Sequence, residues 1–160
     1  MIFATVGHLS LGFERLVKKL DEIAPEISEE IIVQVGYTKY QPQNLQFFPF
    51  KPYEDVLQMM KEARVVVCHG GGVVIDVLTL GKPLIVVPRF EKYNEHIDDH
   101  QVILAERLKA EGKVEIVYDV DDLKGFLVQS YLGKEAIARD NKLISYLRNQ
   151  VKNMLGCCGY

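Results

Sequence analysis

Cysteine is scarce in this chain, a basic excess is missing, and no apolar run is long. The cysteines are Cys68, Cys157 and Cys158, in a chain of 160 residues. An odd count, with two of them adjacent near the C-terminus, does not fit the disulfide framework of a small secreted domain. Cys68 closes the apolar run Val65-Val66-Val67 and reads as a small buried residue rather than a reactive thiol. The net charge of -3, with no basic stripe and interleaved aromatics, argues against nucleic acid as the main partner. Phosphate backbones are held by clustered lysine and arginine. No stretch reaches the roughly 20 apolar residues that span a bilayer. The opening Met1-Ile2-Phe3-Ala4-Thr5-Val6 lacks the basic region and cleavage site of a signal peptide. A cytoplasmic protein is expected, reaching a membrane only through something else. Short catalytic motifs are missing too: there is no G-x-S-x-G, no Walker loop and no C-x-x-C.

What remains is the pattern of an α/β domain. Hydrophobic residues make up 48% and charged residues 26%, ordinary values for a folded globular chain. Short β-branched runs alternate with segments of helical period, as in a mostly parallel sheet flanked by helices. Strands are predicted at 2–6, 31–35, 45–48, 65–68, 84–87 and 114–117. Helices are predicted at 12–24, from Pro52 to Ala63, from the glycines after Cys68 to Leu80, and from Asp98 to about Gly112. Two more follow, near 121–130 and 134–155. No repeat, low-complexity tract or linker interrupts them, so one domain over 1–160 is expected.

In an open sheet of this kind, ligands bind beyond the carboxyl ends of the strands. Segments of three kinds fall there. His69-Gly70-Gly71-Gly72 lies between a strand and a helix, where bare backbone and free N–H groups favour an anion such as a diphosphate. His69 is placed to donate to the same group, and Asp76, one helical turn on, to accept from a ribose diol. The same glycines would also serve a tight strand-to-helix turn for its geometry alone. Asn94-Glu95-His96-Ile97-Asp98-Asp99-His100-Gln101 is denser in polar residues than folding needs. Asp98 or Asp99 would cap the next helix, leaving His100 and Gln101 in its first turn for sugar hydroxyls. His96, Asp98, Asp99 and His100 could instead hold a metal, although no usual zinc spacing is present. The third segment, Gly7-His8-Leu9-Ser10, is too short for the G-x-G-x-x-G dinucleotide pattern but suits a phosphate. His8, His69 and His96 are each candidate general bases, and sequence alone places none of them near a reacting hydroxyl.

Taken in order, His69-Gly-Gly-Gly, Asp76, Gly81-Lys-Pro-Leu-Ile-Val-Val-Pro88 and Asp98-Asp-His-Gln101 resemble the donor-binding domain of family 28 glycosyltransferases of the GT-B fold. With the opening Ala4-Thr5-Val6-Gly7, the chain resembles a narrower group. This is the small catalytic subunit of the dolichol-pathway UDP-GlcNAc transferase, with its bacterial exopolysaccharide counterparts. The resemblance implies a single Rossmann-like domain that binds a UDP-sugar without a metal cofactor. It also implies a separate membrane-associated subunit that supplies the lipid-diphosphate acceptor, a chain of this size being too small for both halves. By the same resemblance, Gly7 and His8 face the diphosphate from one side, and His69 with Gly70, Gly71 and Gly72 from the other. Asp76 takes the ribose, where relatives usually carry Glu. Phe50 and Lys51 hold the uracil largely through backbone, and His100 and Gln101 contact the sugar. His8 stands where relatives commonly have Thr, and Val73 and Val74 where they often have Ser or Thr, which leaves more of the phosphate to backbone N–H groups. The last helix carries Ile137, Leu143, Ile144, Leu147, Val151, Met154 and Leu155 on one face, for its own core or for the partner subunit. The main rival function is a non-catalytic nucleotide-sugar-binding or regulatory subunit. An epimerase would need two such domains, and a dehydrogenase the missing dinucleotide fingerprint.

Overall fold

The computed structural model describes residues 1–96 and 100–129. Asp98, Asp99, the helix predicted at 134–155 with its apolar stripe, Cys157 and Cys158 lie outside the described residues.

Six strands form one sheet: β1 (Ile2–Thr5), β2 (Ile31–Gln34), β3 (Gln46–Phe48), β4 (Val65–Cys68), β5 (Leu84–Val86) and β6 (Glu115–Ile116). Their order is β3-β2-β1-β4-β5-β6, and every neighbouring pair is parallel. The predicted mostly parallel sheet is thus parallel throughout. Parallel strands covered on both faces are apolar along their whole length. β1 and β4 are accordingly buried at every position.

Alternation along the strands divides the core in two. On one face Phe3, Val66, Cys68 and Val86 pack against α2 (Tyr53–Glu62), α3 (Gly72–Thr79) and α4 (His100–Ala110), through Val56, Met60, Val77, Leu78 and Leu108. On the other, Ile2, Ala4, Val65, Val67 and Ile85 pack against α1 (Glu14–Ile23) and α5 (Leu123–Gln129), through Leu16, Val17, Leu20, Leu123 and Leu127. Each such large side chain, taken fully out of water, stabilises the fold by about 1.5–3 kcal/mol.

Helix termini follow local chemistry. Pro52 fills the N-cap position of α2, Glu54 and Asp55 lie in its first turn and Lys61 in its last, complementing the helix dipole. α1 starts at Glu14 rather than at Gly12 and passes into a short 3-10 turn over Ala24–Glu26. After β2, the irregular segment 37–44 is tied to α1 by the buried carboxylate of Asp21. Asp21 accepts from the Tyr40 hydroxyl (2.6 Å) and from the N–H groups of Gln43 (2.9 Å) and Asn44 (2.6 Å). The strand order reverses between β1 and β4, the point at which open sheets of this kind usually bind ligands.

Candidate functional site

The loop after β1 begins at Gly7, whose φ of 74° lies in the left-handed region. A Cβ at Gly7 would fall 2.5 Å from His69 Cε1, so the imidazole from the β4 loop packs directly on the Gly7 backbone. From the opposite side, a Cβ at Gly36 would meet the Gly7 carbonyl oxygen at 2.8 Å. The first loop is therefore held between the ends of β2 and β4. Thr5 Oγ1 accepts from the Gly7 N–H (3.2 Å) and donates to Gln34 Oε1 (3.0 Å), which pins the start of that loop to β2.

His69 is 8% exposed. Burial and the neighbouring Arg89 charge push its pKa down to about 3, against the pull of the Thr5 carbonyl, which favours the charged ring. That carbonyl makes no hydrogen bond of ordinary geometry with Nδ1, which stays unpartnered. His69 is a neutral ring at physiological pH. It can donate one N–H, but it is poorly matched to deprotonating a hydroxyl.

Gly70 (φ 122°) and Gly71 (φ 67°) then turn the chain into α3, whose N-cap is Gly71. Neither conformation suits an L side chain. α3 thus begins at the carboxyl end of β4, and the first N–H groups of a helix favour a negative charge. Asp76, one turn into α3, accepts from the Tyr53 hydroxyl at 3.0 Å. Tyr53 opens α2 and was not singled out by sequence reasoning, because its partner lies 23 residues away on another helix.

On the other side of Gly7, the exposed His8 imidazole stacks on Phe50, with ring centres 5.3 Å apart and planes 18° from parallel. Tyr37, from the end of β2, meets Phe50 edge-on at 5.1 Å. Lys51 is exposed and its Nζ lies 5.0 Å from the Phe48 ring centre. His100 and Gln101 form the first residues of α4. The structure thus brings Gly7, His8, Phe50 and His69 into contact. It sets Gly70, Gly71, Gly72 and Asp76 in the adjoining turn and helix, and Lys51 one residue beyond Phe50.

The polar run after β5 corrects one expectation. Glu95 is 5% exposed and Arg89 1% exposed, so these charges are part of the folded interior rather than surplus to it. Glu95 pairs with Arg15 through two hydrogen bonds (3.0 and 2.8 Å), and its Oε2 also accepts from the Phe90 N–H. Such bidentate, charge-assisted pairs are the strong ones. A signal was present in the density of charge at 89–95, but its direction, inward, was not. Among the described residues, no group of three or more His, Cys, Asp or Glu is arranged to hold a metal.

Solved structures similar to this chain share its fold. The glycotransferase of kitacinnamycin aligns at 21% identity and a TM-score of 0.64, over 95% of this chain and 39% of that one. MurG of Acinetobacter baumannii aligns at 24% identity and 0.56, over 81% and 42%. The C-terminal CMP-Kdo binding domain of WaaA from the same organism aligns at 9% identity and 0.52, over 97% and 89%. The chain spans 39% and 42% of the length of the first two. No curated protein matches. The fold is that of GT-B glycosyltransferases, a single sheet of six parallel strands flanked by helices. The sequence profile of the glycosyltransferase family 28 C-terminal domain matches residues 1–154, and the chain belongs to that family.

Proposed function

We propose that this chain is the donor-binding catalytic part of a two-component glycosyltransferase. It takes a sugar, GlcNAc or a related hexose or uronic acid, from a UDP-sugar to a polyprenyl-diphosphate-linked acceptor. The observation that carries the reading is the packing of the β1 loop on the β4 loop, Gly7 on His69, at the point where strand order reverses. Backbone N–H groups and a helix N-terminus gathered there suit the diphosphate, both bound and as it departs with developing charge. Asp76 takes the ribose, the backbone at Phe50 and Lys51 the base, and His100 and Gln101 the sugar. Catalysis on this reading is electrostatic and needs no metal, so a chelator leaves transfer unchanged. The acceptor, and a base to deprotonate it, come from a membrane-associated partner subunit. No helix among the described residues is long and apolar enough to cross a membrane.

The rival reading is a non-catalytic nucleotide-sugar-binding subunit, in which the same loops hold the donor and no transfer follows. Reconstitution decides between the two. The chain, its candidate acceptor subunit, UDP-GlcNAc and a polyprenyl-diphosphate acceptor are assayed for UDP release, together and separately. Release by the pair alone supports the enzyme. Binding of UDP without release in any combination supports the rival, and absence of UDP binding sinks both.

A further inference from the structure

Arg89 follows β5 and is the only lysine or arginine fully buried among the described residues. Its Nη1 donates to the carbonyls of Leu11 (3.1 Å), Gly12 (2.9 Å) and Glu95 (3.1 Å), and its Nη2 to that of Val6 (2.9 Å). The guanidinium carbon lies 4.6 Å from the centre of the Phe13 ring. Nε has no partner. The acceptors come from two places: the loop after β1 on both sides of Gly7 and His8, and the far end of the strap 88–96. Arg15 ties the two ends of that strap together, pairing with the Glu95 carboxylate and donating to the Pro88 carbonyl (2.9 Å).

The Glu95 carboxylate favours the buried Arg89 charge but is itself paired with Arg15, so Arg89 hydrogen-bonds only carbonyls and leaves one donor unpaired, a costly arrangement if stability were its sole role. An apolar side chain would avoid burying the charge but would take the Arg89 donors from four carbonyls. What an apolar side chain lacks is a rigid planar fork that fixes several carbonyls at once.

We propose that Arg89 is a positioning residue for the donor site, clasping the loop after β1 to the strap after β5. Both loops then present their ligand-facing atoms in a fixed relation, although neither is regular structure. The inference rests on the donor-site reading above and adds to it a residue that touches no ligand. Arg89 acts through the Val6–Gly12 backbone.

The test uses Arg89→Lys, which keeps the charge and loses the fork, and Arg89→Gln, which loses the charge. UDP and uridine are titrated calorimetrically into the full chain and each variant. Amide hydrogen exchange is followed at Gly7 and Phe13 on one side, bonded to Thr5 Oγ1 and Thr38 Oγ1, and at Phe90 and Glu95 on the other, bonded to each other's residue. Both variants are expected to melt cooperatively, to bind UDP about tenfold or more weakly, and to lose much less affinity for uridine. All four amides are expected to exchange faster. Unchanged UDP affinity in both folded variants overturns the proposal, and so does faster exchange confined to one side. If the wild-type chain binds no UDP, the donor reading fails on that result, while the exchange data still decide whether Arg89 couples the loops. If neither variant folds, Glu95→Gln loosens the same strap by weakening its pair with Arg15 and is judged on the same two readouts.

Discussion

Gly7 and His69 occupy one another's space: the imidazole fills the volume where any side chain at position 7 would begin, 2.5 Å from Cε1. With φ at 74° as well, Gly7→Ala combines backbone strain with a steric conflict. It is expected to cost about 1–3 kcal/mol in chemical denaturation and to abolish measurable UDP binding. In a His69→Ala background the conflict disappears and the strain stays. The double variant should therefore lose less than the sum of the two single ones.

His69 also makes stability depend on acidity. Its folded pKa, about 3, lies below the usual value near 6.5, so between those limits the unfolded chain binds a proton that the folded chain refuses. The contribution is fully present above about pH 6.5 and declines as the pH falls towards the folded value. Denaturation midpoints between pH 7 and 4 should fall less steeply for His69→Gln than for wild type. Parallel slopes would mean that His69 titrates freely.

Asp21 behaves as a buried staple for the segment 37–44. Burial pushes its carboxyl up, but the hydrogen bonds from Tyr40, Asn44 and Gln43 outweigh that and hold it below the ordinary carboxylate range. Its contribution is present above the unfolded pKa and is lost as the pH falls through the lower folded one. Asp21→Ala strands several donors and is expected to cost about 2–4 kcal/mol at neutral pH, and Tyr40→Phe about 1 kcal/mol. Urea denaturation at pH 7 measures both.

If Asp76 takes the ribose as proposed, Asp76→Ala should weaken UDP-sugar binding about tenfold to a hundredfold, the worth of a hydrogen bond to a charged group. Gln101→Ala should weaken the UDP-sugar and leave UDP itself nearly unchanged. Tyr53→Phe removes the donor to Asp76 and is expected to change affinity only severalfold. Calorimetry with UDP and UDP-GlcNAc separates the cases. Equal affinity for Asp76→Ala and wild type would remove this residue from the site.

Cys68 is fully buried at the end of β4, and burial pushes its thiol up to about 12. In a Cys157→Ser, Cys158→Ser variant, a thiol reagent at pH 8 should find nothing to modify until denaturant is added. Reaction in the native state would show that β4 opens.

The sheet was legible because its central strands are apolar on both faces, as in Val65-Val66-Val67. The glycine turns were legible because few other residues adopt their conformations. The edges were less so. β3 begins at Gln46, not Leu45, and β6 contracts from the expected 114–117 to Glu115–Ile116, since an edge strand has a partner on one side only. Arg89 and Glu95 were not legible as interior groups. Nothing in local sequence distinguishes an arginine that snorkels to water from one that donates to Val6, 83 residues away. The Tyr53 contact was hidden for the same reason: it exists only once α2 and α3 lie side by side. Where the glycines point is written locally; what locks them in place is written by topology.

The ring beneath the first loop has one more effect. A recess floored by a side chain, rather than by water or mobile backbone, has no room to collapse when empty. Its contour is settled as the chain folds, so on the proposed donor-binding reading a nucleotide would meet a finished mould. Recognition of that kind should be fast and carry little ordering penalty, and it leaves discrimination between sugars to the less regular rim around it.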